Sequence, residues 1–112
     1  MRRIAIAALA GAVAAAFVIF GAGEALSRPA ARLVGDPPMG MRAMSLRLPV
    51  PEGQHVSGWF ARGRAGAGAV LLLHGVRADR TQMIERARFL ATAGYSVLLI
   101  DLPAHGESSG DR

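Results

Sequence analysis

The residues from Ile4 to Ala22 read IAIAALAGAVAAAFVIFGA, without a charged or strongly polar side chain. No other feature limits the chain so tightly. At about 1.5 Å rise per residue, the stretch makes a helix close to the roughly 30 Å depth of a bilayer core. A helix lying on a soluble domain shows a polar face within five turns, and this one shows none. As a buried core helix it would need surrounding, and the rest of a 112-residue chain is too small for that. Two readings stay open. One is a cleaved secretory signal, with Gly23 and Ala25 as small residues at a cut, and the other is an uncleaved signal anchor. The apolar region of a signal usually runs about 7–15 residues, so length favours the anchor. Arg2 and Arg3 favour a cytoplasmic N-terminus, while Arg28 and Arg32 beyond the other end dilute the bias. The short leading segment keeps the N-terminus inside and the remainder on the extracytoplasmic, periplasmic-type side, secreted if the signal is cleaved. Residues 1–25 are therefore read as signal anchor or signal peptide, with the membrane as partner of residues 4–22.

Composition closes several other routes. With 52% hydrophobic and 19% charged residues, the chain is no disordered polyelectrolyte. It has no cysteine, which excludes a disulfide framework, a thiolate zinc site and a catalytic thiol. No cofactor or metal is expected. The net charge of +5 comes from 13 basic residues, all arginine. They are scattered, aromatics are few and no helix carries a basic face, so a solvated surface is expected and no nucleic acid. Gly63, Gly66 and Gly68 precede a strand, whereas a phosphate loop follows one and opens a helix.

Beyond the apolar stretch, Ser27 to Gly40 carries Pro29, Gly35, Pro37 and Pro38 and no sustained period, so residues 26–41 read as a tether. Met44 to Leu48 alternates with period two, and Val56 to Ala61 follows the turn-suited Pro51-Glu52-Gly53-Gln54. These predict an antiparallel pair with Trp59 or Phe60 on its buried face. Ala69 to Leu73 is a continuous apolar run, expected to be buried on both faces. Asp79 to Ala93 has helical signals: Asp79 as cap, Gln82 three residues on as in a capping box, and Met83, Ala87 and Leu90 on one face. Gly94 ends that helix in the left-handed region. Tyr95 to Ile100 is a second buried run stopping at Asp101. Strand, helix and strand within about thirty residues make a right-handed parallel βαβ unit. The fold class is mixed α/β.

His74-Gly75 follows the first buried strand, and Asp101 to Gly110 follows the second. In an open parallel sheet, ligands bind beyond the carboxyl ends of the strands, so both turns should border one crevice. A strand ending in His-Gly, a helix closing on Gly94-Tyr95 and a strand opening into D-x-x-x-H-G-x-S-x-G together resemble the α/β-hydrolase superfamily. The likeness is strongest to the branch of serine aminopeptidase-like and monoacylglycerol lipase-like members. It runs from about Arg42 to Arg112 and covers the first part of that fold, to its fourth strand.

The resemblance implies an incomplete α/β-hydrolase sheet over residues 42–112, an antiparallel hairpin plus one βαβ unit, preceded by a single transmembrane helix. It implies acyl transfer by a Ser-His-acid triad on a small-molecule acyl substrate. The Val76 backbone amide would donate to the oxyanion, and His74 and Gly75 would shape that turn without moving protons. Asp101, His105, Gly106 and Ser108 would brace the second loop. Gly106-Glu107-Ser108-Ser109-Gly110 also satisfies the nucleophile-elbow pattern G-x-S-x-G. An elbow serine stands directly between strand and helix, however, and here Leu-Pro-Ala-His intervenes after Asp101. Ser108 is therefore read as structural, as are His55, His74 and His105. Nucleophile, acid and base are expected beyond Arg112, leaving these residues inactive alone and the Ala69 to Leu73 strand exposed at an edge, in a domain of low stability. The alternative is a non-catalytic membrane-anchored binding module or a truncated remnant.

Overall fold

A computed structural model describes residues 1–110; Asp111 and Arg112, the end of the 42–112 range, lie outside the described residues. The apolar stretch forms α1, Arg2–Ser27, which buries none of its residues. Its most apolar 18-residue window has a mean hydropathy of 2.5, so it is long and apolar enough to cross a membrane.

Two strands follow, β1 (Ala43–Val50) and β2 (Gln54–Ala61), paired antiparallel from Ala43 opposite Ala61 to Val50 opposite Gln54. Glu52 and Gly53 turn between them, both with positive φ, as in the turns that match the twist of a hairpin. Then come β3 (Ala69–Leu73), a short 3-10 turn (Arg80–Met83), α2 (Ile84–Thr92) and β4 (Ser96–Ile100). The strand order is β1-β2-β4-β3. β4 runs antiparallel to β2 and parallel to β3, with Leu73 opposite Ile100. The expected hairpin and βαβ crossover are both present.

One face of this sheet is the core. Trp59, Val97 and Leu99 pack there against Met83 and Ala87 from the helical segment and Met41 from the chain before β1. Trp59 is the buried member of its pair, because it sits opposite Leu99 while Phe60 faces the other side with Leu98. Gly94, at φ 99, closes α2, and the Tyr95 amide donates to the Leu90 carbonyl.

Two expectations are corrected. β3 is half-buried on one side and exposed on the other. Val70 and Leu72 turn toward α2, but Leu71 and Leu73 remain 54% and 49% exposed, since no element among the described residues covers that face. A run without polar residues marks a strand that can be covered on both sides; it does not supply the cover. The capping box is also only half formed. Asp79 caps, accepting from the Thr81 amide at 2.9 Å, but the Gln82 side chain reaches away from it, to Gly75.

The segment read as a tether lies on the sheet's loops. Ala31 bridges Gly106 in parallel fashion, and the Val34 and Gly35 amides donate to a Glu107 carboxylate oxygen at 3.1 and 3.0 Å. Arg32 reaches Asp79 at 3.5 Å.

Candidate active site

Because β3 and β4 are parallel neighbours in register, the loops leaving Leu73 and Ile100 emerge side by side at the carboxyl end of the sheet. His74 joins them. Its Nε2 accepts from the Leu102 amide at 2.9 Å, and its Nδ1 donates to the Gly75 carbonyl at 2.7 Å. The ring is buried, with both nitrogens committed to main chain. It has none left to take a proton from a nucleophile. The His105 ring lies tilted beside it, centroids 5.3 Å apart.

The first loop is a tight turn in which the Ala78 amide donates to the Gly75 carbonyl at 3.3 Å. The Gly75 amide is taken by Gln82 Oε1 at 2.7 Å. That leaves the Val76 and Arg77 N–H groups, which donate to no group among the described residues. Val76 itself is 80% exposed. His74 and Gln82 fix the main chain on either side of it.

The second loop is built on Asp101, which is fully buried. Its Oδ1 accepts from the Arg80 amide at 2.7 Å, and its Oδ2 accepts from the Glu107 amide at 2.9 Å and from the Arg80 guanidinium. Arg80, only 2% exposed, also pairs with the Glu107 carboxylate and lies 4.7 Å from the centre of the Trp59 ring. Two carboxylates, a carbonyl from Gly35 at 3.3 Å and an aromatic face make burial of that guanidinium tolerable. Gly106 has φ 50, and a Cβ there would stand 2.1 Å from Asp101 Oδ2. No other residue type fits.

Ser108 Oγ donates to the Asp101 carbonyl at 2.7 Å and accepts from the Ser57 amide at 2.9 Å. Ser109 and the Glu107 carbonyl tie to His55 and Ser57 in the same way, with His55 Nε2 donating to the Glu107 carbonyl at 2.9 Å. The loop thus extends the hairpin's pairing beyond the end of β4. A buried serine hydroxyl engaged on both sides, on a loop stitched to β2, is no raised nucleophile.

The electrostatics follow the same division. The Glu107 carboxyl is held below the usual range first by the Gly35 amide and then by Arg80, with burial opposing. For Asp79, burial raises the value, but the Thr81 hydroxyl and amide, with Arg32 and His74, outweigh it and the net shift is downward. Among the described residues there is no cluster of three or more His, Cys, Asp or Glu able to hold a metal ion.

Sequence reasoning missed Arg80, the positive centre of the second loop, and the use of Gln82 to hold the first. The one signal for Arg80 was its place after a helix-capping aspartate. An arginine there reads as solvated until Asp101 and Glu107, far along the chain, are seen to converge on it.

No protein-family model matches the chain, and no curated protein sequence does. Solved structures of the Pyrococcus furiosus esterase Pf2001 are similar to it in shape. In space group C2221 the TM-score is 0.63 at 22% identity, over 76% of this chain and 34% of the esterase. In space group P212121 it is 0.61 at 25% identity, over 74% and 33%. In space group P21 it is 0.62 at 22% identity, over 76% and 35%. The chain therefore spans about a third of the esterase's length. What is shared is the architecture, a mixed sheet with an esterase-like, α/β-hydrolase-like fold.

Proposed function

We propose that this chain is the N-terminal part of a membrane-tethered serine hydrolase that cleaves an ester, amide or related acyl bond. The observation that carries the reading is the unpartnered Val76 N–H, in an exposed turn at the carboxyl end of β3 in an esterase-like fold. In the proposed reaction a serine hydroxyl gives its proton to the general-base histidine as its oxygen adds to the substrate carbonyl carbon. The carbonyl oxygen takes up negative charge. Collapse expels the alcohol or amine, protonated by that histidine, and water then releases the acid from the acyl-serine by the same two steps. Val76 donates its amide hydrogen to the charged carbonyl oxygen, His74 and Gly75 hold the turn, and the second loop forms the opposite wall. The serine, the general-base histidine and the acid belong to sequence after Arg112. α1 supplies the tether.

Translating the DNA past the Arg112 codon in each frame provides the first test. A strand ending in G-x-S-x-G, then an acid and a histidine, is expected; their absence from every frame would leave a non-catalytic module. In the encoded protein, a fluorophosphonate probe should label that distal serine and leave Ser108 untouched. Val76→Pro, which removes the donor, should lower kcat by about 100-fold or more. Val76→Ala, which keeps it, should not.

A further inference from the structure

We infer that the acyl substrate reaches this site from the lipid bilayer and not from bulk water. The inference rests on the hydrolase reading above and comes from the way α1 joins the sheet. α1 buries no residue, and the molecule measures 75 × 31 × 24 Å. A 26-residue helix accounts for about 39 Å of that long axis. The helix therefore projects from the domain and meets it end-on, through its last turn.

That meeting point is the first loop. The Arg77 guanidinium donates to the Ala25 carbonyl, and Arg32 Nη2 donates to the Arg77 carbonyl at 3.0 Å. Main-chain bonds from Gly106 to Ala30 and from Arg32 to Gly106, at 2.9 and 2.8 Å, hold the following segment on the second loop. The end of α1 lies one arginine side chain away from Val76. With residues 4–22 in the hydrocarbon, the last turn of α1 sits at the headgroup layer, and the two loops sit there with it.

The surface at this end suits such a place. Leu26, Leu33 and Val76 are exposed apolar side chains. Arg28, Arg32 and Arg77 are exposed beside them, Arg32 paired with Asp79. Arginines at a helix end keep their stems in apolar surroundings and their charges among headgroups. The connector from Gly63 to Gly68 lies at the opposite end of β3, about 17 Å away along the strand. An amphiphile whose acyl chain stays in the leaflet, and whose carbonyl lies at headgroup depth, meets the Val76 amide without crossing water.

These 112 residues hold no cysteine, so in the full encoded protein, with any later cysteine replaced by serine, one introduced cysteine is a unique label. Val76→Cys, which keeps the amide, and Ala65→Cys in the far connector would each carry a nitrobenzoxadiazole label in phosphatidylcholine-phosphatidylglycerol vesicles with brominated acyl chains. Severalfold stronger quenching at 76 than at 65 is expected, reduced toward the level at 65 by Arg77→Ala. Equal quenching at the two positions, or none at either, overturns the inference. This readout needs no catalysis. In the full encoded protein, kcat/KM should be roughly tenfold higher for a vesicle-embedded ester than for a short soluble one, as the local concentration rises. Hydrolysis of both without preference overturns membrane entry alone. Hydrolysis of neither overturns the hydrolase reading and leaves the quenching result to stand on its own.

Discussion

The loops that leave β3 and β4 lie side by side and are built in opposite ways. In the second, from Asp101 to Gly110, polar groups are spent on one another: Asp101, Arg80, Glu107 and Ser108 close a buried network that also binds the segment 31–35 and the hairpin. In the first, from His74 to Ala78, two side chains hold the main chain still, and the Val76 and Arg77 amides are left over. One loop is a brace and the other is an offered surface. Buried polar groups left unpaired are costly, and the second loop still leaves one, Arg80 Nε, whereas a free donor that solvent or a ligand can reach costs little. The exposure of Val76 meets that condition.

If the contrast is real, substitutions should rank by loop. Asp101→Ala should do the most damage, because it takes from the buried Arg80 guanidinium one of its two carboxylates and leaves the Arg80 and Glu107 amides without an acceptor. The expected loss is about 3–5 kcal/mol, enough to unfold a chain of this size in a urea titration. A native-like transition midpoint would show that the network is peripheral. Gly106→Ala should come next. It puts about 1–3 kcal/mol of strain into a left-handed position and drives its Cβ into the Asp101 carboxylate. His74→Ala removes the link between the loops and leaves the Leu102 amide without its acceptor. About 1–2 kcal/mol is expected there, read as a lower thermal midpoint.

The acid limb of stability tests the brace by another route. A carboxylate whose value is depressed in the folded state contributes fully above its unfolded value and ceases to contribute as pH falls through the folded one. Glu107 is such a group, held down by the Gly35 amide and Arg80. Stability should therefore fall below about pH 4.3, and Glu107→Gln should flatten that decline while lowering stability at neutral pH. An unchanged acid limb in the variant would remove Glu107 from the brace.

How much of this could be read in advance depended on the range of the interactions. The hairpin, the crossover helix, the Asp79 cap and the Gly94 stop follow from residues within a few positions of one another, and their sequence signals were sufficient. Placement of the two loops at one end of the sheet followed from parallel topology. Gln82 shows where local signals mislead: capping-box spacing is satisfied, yet its amide serves Gly75, seven residues back. Arg80 and the docking of residues 31–35 depend on Asp101, Glu107 and Gly106, more than twenty positions away. No local pattern carries that information. The bare side of β3 had a similar cause, because burial depends on a covering element and not on the strand.

The smallest expected effect bears most directly on the contrast. Val76→Ala removes an exposed side chain and leaves the amide, the turn and both of its anchors intact. Substitutions of this kind usually change stability by about 0.5 kcal/mol or less. If the first loop holds nothing together, its urea midpoint should match that of the parent chain, while Asp101→Ala in the adjacent loop unfolds the protein. A large loss at Val76 would mean that its side chain packs on a neighbour and that the turn is structural like the loop beside it. The free amide would then be incidental to a packed turn, and the case for an oxyanion site would lose its support.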